Sequence, residues 1–72
     1  MAKEYLVVNY RRRRRVMING QFMGYTNKNL ELEGGQYEVT LGPPDNYKPT
    51  KHNIDLRNTS VMNPMIVQFE EA

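Results

Sequence analysis

Hydrophobic and polar residues alternate along much of this sequence with a period of two. The clearest examples are the segments 29–33, 36–41 and 51–57. This period places one set of side chains on the buried face of a β-strand and the other set in water. No stretch of ten or more residues has the i, i+3, i+4, i+7 apolar spacing of an amphipathic helix without Gly or Pro. The pattern therefore predicts an all-β protein.

Glycine, asparagine and proline divide the chain into short segments. The Asn19-Gly20 pair predicts a type I′ hairpin turn, because both residues tolerate the positive φ that this turn needs. The Gly34-Gly35 pair predicts a second hairpin, and residues 58–60 predict a further tight turn. Three prolines lie in the segment 42–49, which we predict to be a loop because proline has no backbone N–H for a central strand.

These boundaries predict seven short strands, near residues 5–10, 14–19, 21–25, 29–33, 36–41, 51–57 and 62–70. Pro64 should place the last strand at a sheet edge or delay its start by one residue. Many short strands separated by turns are typical of sandwiches and small barrels. A chain of 72 residues has no room for a second domain. We predict that residues 1–72 form a single domain, a small antiparallel β-sandwich of six or seven strands.

Positive charge is concentrated in one place. The net charge is only +2, yet the five residues from Arg11 to Arg15 are all arginine. Val16 and Ile18 should face the core, so a straight strand would also point Arg12 and Arg14 inward. Burying an unpaired guanidinium costs at least several kcal/mol, about as much as the whole stability of a small domain. The run must therefore bend, bulge or cross between sheets, so that most of its side chains reach water.

Three interpretations of the run stay open at this point. It is solvated charge, offset in part by Glu31, Glu33 and Glu38 on nearby strands; it is an anion-binding patch; or it is a sorting signal. The candidate partner-binding residues are Arg11, Arg12, Arg13, Arg14, Arg15 and the adjacent Tyr10. If the run is exposed, changing Arg12, Arg13 and Arg14 to Ser should alter the free energy of unfolding by no more than about 1 kcal/mol.

No group of residues predicts catalysis. The chain has no cysteine, one serine (Ser60) and one histidine (His52), and nothing in the sequence brings the last two together. His52 also lacks partners at metal-ligand spacing, and the glycines lie in turns rather than in a phosphate-binding loop. We therefore predict no enzymatic activity, no metal and no cofactor.

The order of features from Tyr5 onward resembles the PEGA domain family. The matching segments are YLVVNY (5–10) as the first strand, VMING (16–20) as a strand and hairpin turn, GYTN (24–27) for Gly-x-Thr-Pro, GGQYEVTL (34–41) for the Gly-x-Tyr-x-Val strand, and Asn46-Tyr47 for a later Gly-Tyr. The sequence departs from the family pattern at three places. Arg11 to Arg14 replace the namesake Pro-Glu-Gly-Ala, Asn27 stands where proline is usual, and Asn46 stands where glycine is usual.

This resemblance implies a β-sandwich that often serves as an accessory module of envelope or surface proteins, without catalytic residues. The function we expect is a non-catalytic binding module whose basic patch at residues 11–15 takes a surface polymer or an acidic protein. The alternative is a small cytosolic protein that binds nucleic acid, with arginines for the phosphates and neighbouring tyrosines for the bases.

The sequence has neither a signal-peptide pattern nor the roughly 18 apolar residues of a membrane span. As written, we expect a cytoplasmic chain; as a domain of a larger secreted protein, it would belong to the cell envelope. The oligomeric state is left open.

Overall fold

The computed structural model describes residues 3–72, and this part of the chain is built from β-strands with no helix. The strands are β1 (Lys3–Asn9), β2 (Arg15–Ile18), β3 (Gln21–Tyr25), β4 (Asn29–Glu33), β5 (Gly35–Leu41), β6 (Tyr47–Lys48), β7 (His52–Leu56), β8 (Met65–Gln68) and β9 (Glu70–Glu71). The all-β prediction is confirmed. The two strands beyond the seven predicted are β6 and β9, which have two residues each, so the predicted loop at 42–49 contains a short strand.

The strands form two main sheets and a small ribbon. One sheet has the order β4-β1-β8, the other has the order β3-β2-β5-β7, and β6 pairs with β9. Pairing within residues 3–72 is antiparallel except between β1 and β8, which are parallel. The chain crosses from β7 in one sheet to β8 in the other, where β8 lies parallel to β1. Pro64 directly precedes β8, which is an edge strand, as predicted.

The core lies between the two main sheets and is made mostly of alternate residues of their strands, completed by Tyr10, Tyr47 and Phe69 from outside those strands. The buried apolar residues are Leu6, Val8, Tyr10, Val16, Ile18, Leu32, Val39, Leu41, Tyr47, Leu56, Val67 and Phe69. The glutamates that alternate with the leucines of β4 are exposed. The period of two in the sequence therefore corresponds to burial in the structure.

One of the two predicted hairpins forms and the other does not. Asn19 and Gly20 have φ values of 51° and 82°, as the turn between β2 and β3 requires. The prediction for Gly34-Gly35 is wrong, because β4 pairs with β1 whereas β5 pairs with β2 and β7. The glycine pair instead carries the chain from one sheet to the other. A turn signal marks a change of direction but does not say whether the flanking strands pair with each other.

The arginine run crosses between the sheets, which is one of the three outcomes that the alternation of β2 allowed. It leaves β1 in one sheet and enters β2 in the other, and Arg11 to Arg14 form the connection. Val16 and Ile18 point into the core, at 0% and 4% exposure. The bend before Arg15 therefore keeps the cations out of the core.

A corner formed by Thr26 and Asn27 holds this crossing in place. The Thr26 hydroxyl donates to the Arg12 carbonyl (2.7 Å) and accepts from the Arg14 N–H (2.8 Å). The Asn27 amide donates to the Tyr10 carbonyl (2.8 Å) and accepts from the Tyr10 N–H (3.2 Å). These side chains satisfy backbone groups of the crossing that no strand pairs. The backbone of the run is thus held at Tyr10, Arg12 and Arg14 by side chains from outside the run.

A second tie joins the start of β1 to the loop after β7. A carboxylate oxygen of Glu4, which is 8% exposed, accepts from the Thr59 N–H (2.8 Å) and the Thr59 hydroxyl (2.6 Å). These hydrogen bonds favour the ionised carboxylate, so the pKa of Glu4 lies below its ordinary value of 4.5, although burial acts in the opposite direction. The loop is therefore held by a charged acceptor.

We expect Thr26→Val to lower the free energy of unfolding by about 1–3 kcal/mol, measured by urea denaturation. Valine keeps the shape of threonine but leaves the Arg14 N–H and the Arg12 carbonyl without their partner. Thr26→Ser is the matched control, because it keeps the hydroxyl and should cost about 0.8 kcal/mol for one lost methyl group. Equal losses in the two variants would show that the hydroxyl is not what matters.

The Glu4 tie predicts a dependence of stability on pH. Because the pKa of Glu4 is lower in the folded chain than in the unfolded chain, the unfolded state binds more protons as the carboxylate titrates. The contribution of Glu4 is complete above its unfolded pKa and is lost as the pH falls through its folded pKa. Glu4→Gln should flatten the stability curve in this acidic range, measured by urea denaturation at a series of pH values. An unchanged curve for the variant would contradict this role.

Candidate anion-binding site at the arginine crossing

The five arginines of the run occupy different environments. Arg11, Arg12, Arg13 and Arg15 are exposed, whereas Arg14 is half-buried. The prediction that most of the side chains reach water is confirmed. The exception, Arg14, has a structural role that the sequence did not indicate.

Arg14 ties the crossing to the loop between β5 and β6. Its Nη1 donates to the side-chain oxygen of Asn46 (2.7 Å), and its Nη2 donates to the carbonyls of Gly42 and Pro44. These acceptors are neutral oxygens, arranged around the planar fork that a guanidinium offers. Arg14 is therefore held without a carboxylate partner. The limit of about 1 kcal/mol expected for changing Arg12, Arg13 and Arg14 to Ser assumed exposed side chains, and Arg14 does not meet that condition.

Two tyrosine rings complete the environment of Arg14. Its guanidinium carbon lies 5.4 Å from the centre of the Tyr10 ring and 5.5 Å from that of the Tyr47 ring. Both tyrosines belong to the core, at 4% and 9% exposure. Tyr10, a candidate site residue from the sequence, thus packs against Arg14 inside the fold.

Arg11 and Arg12 share one acidic partner, Glu71. Arg11 Nη1 lies 2.8 Å from one carboxylate oxygen, and Arg12 Nε lies 3.8 Å from the other. Pairing of β9 with β6 brings this glutamate from the far end of the sequence. Exposed pairs of this kind contribute about 0.2–1 kcal/mol each. The acid beside the run is therefore none of those expected from the sequence, which were Glu31, Glu33 and Glu38.

Arg13, Arg14 and Arg15 line a shallow surface groove of about 310 Å³ together with Tyr25 and residues 42–44. The Arg13 guanidinium carbon lies 5.0 Å from the centre of the Tyr25 ring. The Arg15 side chain packs against Gly42: a Cβ at this glycine would lie 3.1 Å from Arg15 Nε. No carboxylate of residues 3–72 lies within 4.0 Å of either guanidinium. We call this the arginine groove. Arg14 is engaged by the oxygens of the loop, so the groove offers two cations, Arg13 and Arg15, that are exposed and have no carboxylate partner within residues 3–72.

The serine and histidine have separate roles in the structure. His52 Nε2 donates to the Gln68 carbonyl (2.8 Å), and its ring packs edge-on against Phe69. The Ser60 hydroxyl accepts from the Asn63 N–H (3.1 Å). Across residues 3–72, no three His, Asp or Glu side chains gather as a metal site, and no helix is long and apolar enough to cross a membrane.

The residues that depart from the PEGA pattern contact one another or the backbone of the crossing. Asn46, at a position where glycine is usual, accepts from Arg14, which itself stands in place of the namesake turn. Asn27 has a φ of 64°, which a proline ring cannot adopt. The loop residues that hold Arg14 were not identified from the sequence alone. The unusual Asn46 is the one signal that could have pointed to them.

We expect Arg14→Lys to lower the free energy of unfolding by about 1–3 kcal/mol, because an ammonium cannot reproduce the planar fork. Arg13→Lys is the matched control: Arg13 is exposed, and the change should stay within about 0.5 kcal/mol. A double-mutant cycle of Arg14→Lys with Asn46→Ala should show coupling of at least about 0.5 kcal/mol in urea denaturation. Independent effects in the cycle would mean that Asn46 does not hold the guanidinium.

Comparison with known proteins supports the family indicated by the sequence. The family model of the PEGA domain matches residues 7–69, which include the arginine crossing and all of the two main sheets except the first four residues of β1. No curated protein and no solved structure matches the chain significantly. PEGA domains are small, non-catalytic accessory modules. With nearly its whole length matched, the chain belongs to the PEGA domain family.

Proposed function

We propose that this PEGA domain is a non-catalytic module that binds an anionic partner through the arginine groove. The supporting observation is that Arg13 and Arg15 line one groove and that neither guanidinium has a carboxylate partner within residues 3–72. Partners that fit this chemistry carry repeated negative charge, such as an anionic surface polymer or an acidic protein surface.

Other features of the chain favour binding over catalysis. His52 and Ser60 are each engaged in hydrogen bonds of their own. The arginine groove is open to solvent and offers charge for recognition, but we find no nucleophile with a base beside it among its residues.

The ion pairs divide the run into stronger and weaker contributors. Arg11 and Arg12 already share Glu71, so an anionic partner must compete with that carboxylate for them. Arg13 and Arg15 have no such competitor among residues 3–72 and should contribute more of the binding free energy. Arg14 contributes indirectly, because it holds the loop that forms one wall of the groove.

Heparin, a sulfated polysaccharide, is a suitable probe for this proposal. We expect the wild-type chain to bind it at low salt and to weaken as salt is raised, because binding releases counterions. Arg13→Ser with Arg15→Ser should weaken binding and reduce the slope of log affinity against log salt by about 1.4, if each contact contributes about 0.7 as it does for single-stranded nucleic acids. Isothermal titration calorimetry at several salt concentrations measures both quantities.

The matched control is Arg11→Ser with Arg12→Ser, which removes the same charge from the same run. This variant should lose less affinity, because both arginines are already paired with Glu71. Equal losses in the two double variants would mean that net charge acts without a defined groove. Absence of wild-type binding at low salt would overturn the proposal.

A further inference from the structure

The edge strand β3 exposes large apolar side chains. None of its residues is buried, yet Phe22, Met23 and Tyr25 are 50%, 44% and 37% exposed. The strand also has no charged residue, although charge is a usual protection of sheet edges. Clustered exposed apolar side chains of this kind mark binding surfaces.

A β-bulge brings two of these side chains to the same face. Gly24 lies opposite Val16 and Phe22 lies opposite Met17, so Met23 is an extra residue in β3. In a regular strand, side chains three positions apart point to opposite faces. The extra residue realigns them, and the Phe22 and Tyr25 rings meet edge to face with their centres 5.4 Å apart.

This aromatic pair adjoins the arginine groove. Tyr25 belongs to both, because the Arg13 guanidinium lies over its ring. Arg15 is the residue opposite Tyr25 across the β2–β3 pairing. Two uncompensated cations and two exposed rings therefore lie side by side on one surface, which we call the aromatic–arginine surface (Arg13, Arg15, Phe22 and Tyr25).

We propose that the aromatic–arginine surface binds single-stranded nucleic acid, with a base stacked on Phe22 and phosphates held by Arg13 and Arg15. This inference rests on the proposed anion binding and names its ligand class. A strand with unpaired bases offers both phosphates and flat π faces, which is the combination that such surfaces recognise. A sulfated polysaccharide or an acidic protein also uses the arginines, but only a single-stranded nucleic acid repeats a phosphate and a flat aromatic base at every residue. In a duplex, the base faces are already stacked on each other.

The test compares the wild-type chain with Phe22→Leu, which removes the ring but keeps an apolar side chain at an exposed position. Binding of a fluorescein-labelled oligothymidylate is followed by fluorescence anisotropy at low salt. We expect Phe22→Leu to weaken this binding about 5- to 150-fold, the loss that corresponds to one stacked base. Its affinity for heparin should stay unchanged, because the arginines remain.

Two controls make the result specific. Met62→Leu changes another exposed apolar residue, which is 86% exposed and lies outside β3, and should leave oligothymidylate affinity unchanged. An abasic oligonucleotide of the same length should bind the wild-type chain about as weakly as oligothymidylate binds Phe22→Leu. Circular dichroism and urea denaturation of each variant verify that it is folded.

The possible outcomes separate this inference from the proposed function. Unchanged oligothymidylate affinity in Phe22→Leu, or equal wild-type affinity for the abasic strand and oligothymidylate, would overturn base stacking. Heparin binding without oligothymidylate binding would also overturn it while preserving the anion-binding proposal. If the wild-type chain binds neither probe at low salt, both proposals are wrong.

Discussion

The arginine site depends on the hydrogen bonds that Thr26 and Asn27 make to the backbone between β1 and β2. A chain that crosses between sheets leaves its peptide groups without strand partners, and unpaired groups at a core boundary are costly. Here, the side chains of Thr26 and Asn27 supply hydrogen-bond partners for these peptide groups. The Thr26 N–H supplies another by donating to the Arg14 carbonyl at 2.9 Å. Because the backbone is held in this way, the guanidinium groups are available for other interactions.

One run of identical residues therefore has three kinds of environment. Arg14 is bound by neutral oxygens and aromatic rings, and it connects the crossing to a loop. Arg11 and Arg12 form exposed ion pairs with a glutamate near the end of the sequence. Arg13 and Arg15 keep their charge uncompensated within the described chain. The binding proposal follows from these differences in pairing, since the number of arginines alone does not distinguish them.

The residues in which this PEGA domain departs from the family pattern all act on the crossing between β1 and β2. An arginine in place of the namesake turn is held by an asparagine in place of a glycine, and a second asparagine adopts a φ that excludes the usual proline. These residues order the crossing beside β3, whose bulge exposes an aromatic pair. A small accessory fold thereby carries cations and rings side by side on its surface.

The sequence alone determined the all-β class, the Asn19-Gly20 turn and the exit of the arginines from the core, because each depends on residues close in sequence. Side-chain alternation gives the strands, and the φ values that Asn and Gly tolerate give the turn. The cost of burying charge takes the arginines out of the core. Only the tertiary structure decided that Gly34-Gly35 links two sheets, that β1 and β8 run parallel, and which arginine is held by the fold. Arg14 and Asn46 are 32 positions apart, and Arg11 and Glu71 are 60 apart. Such contacts depend on how whole strands pair and pack. No local sequence pattern specifies which distant residue will contact a given side chain.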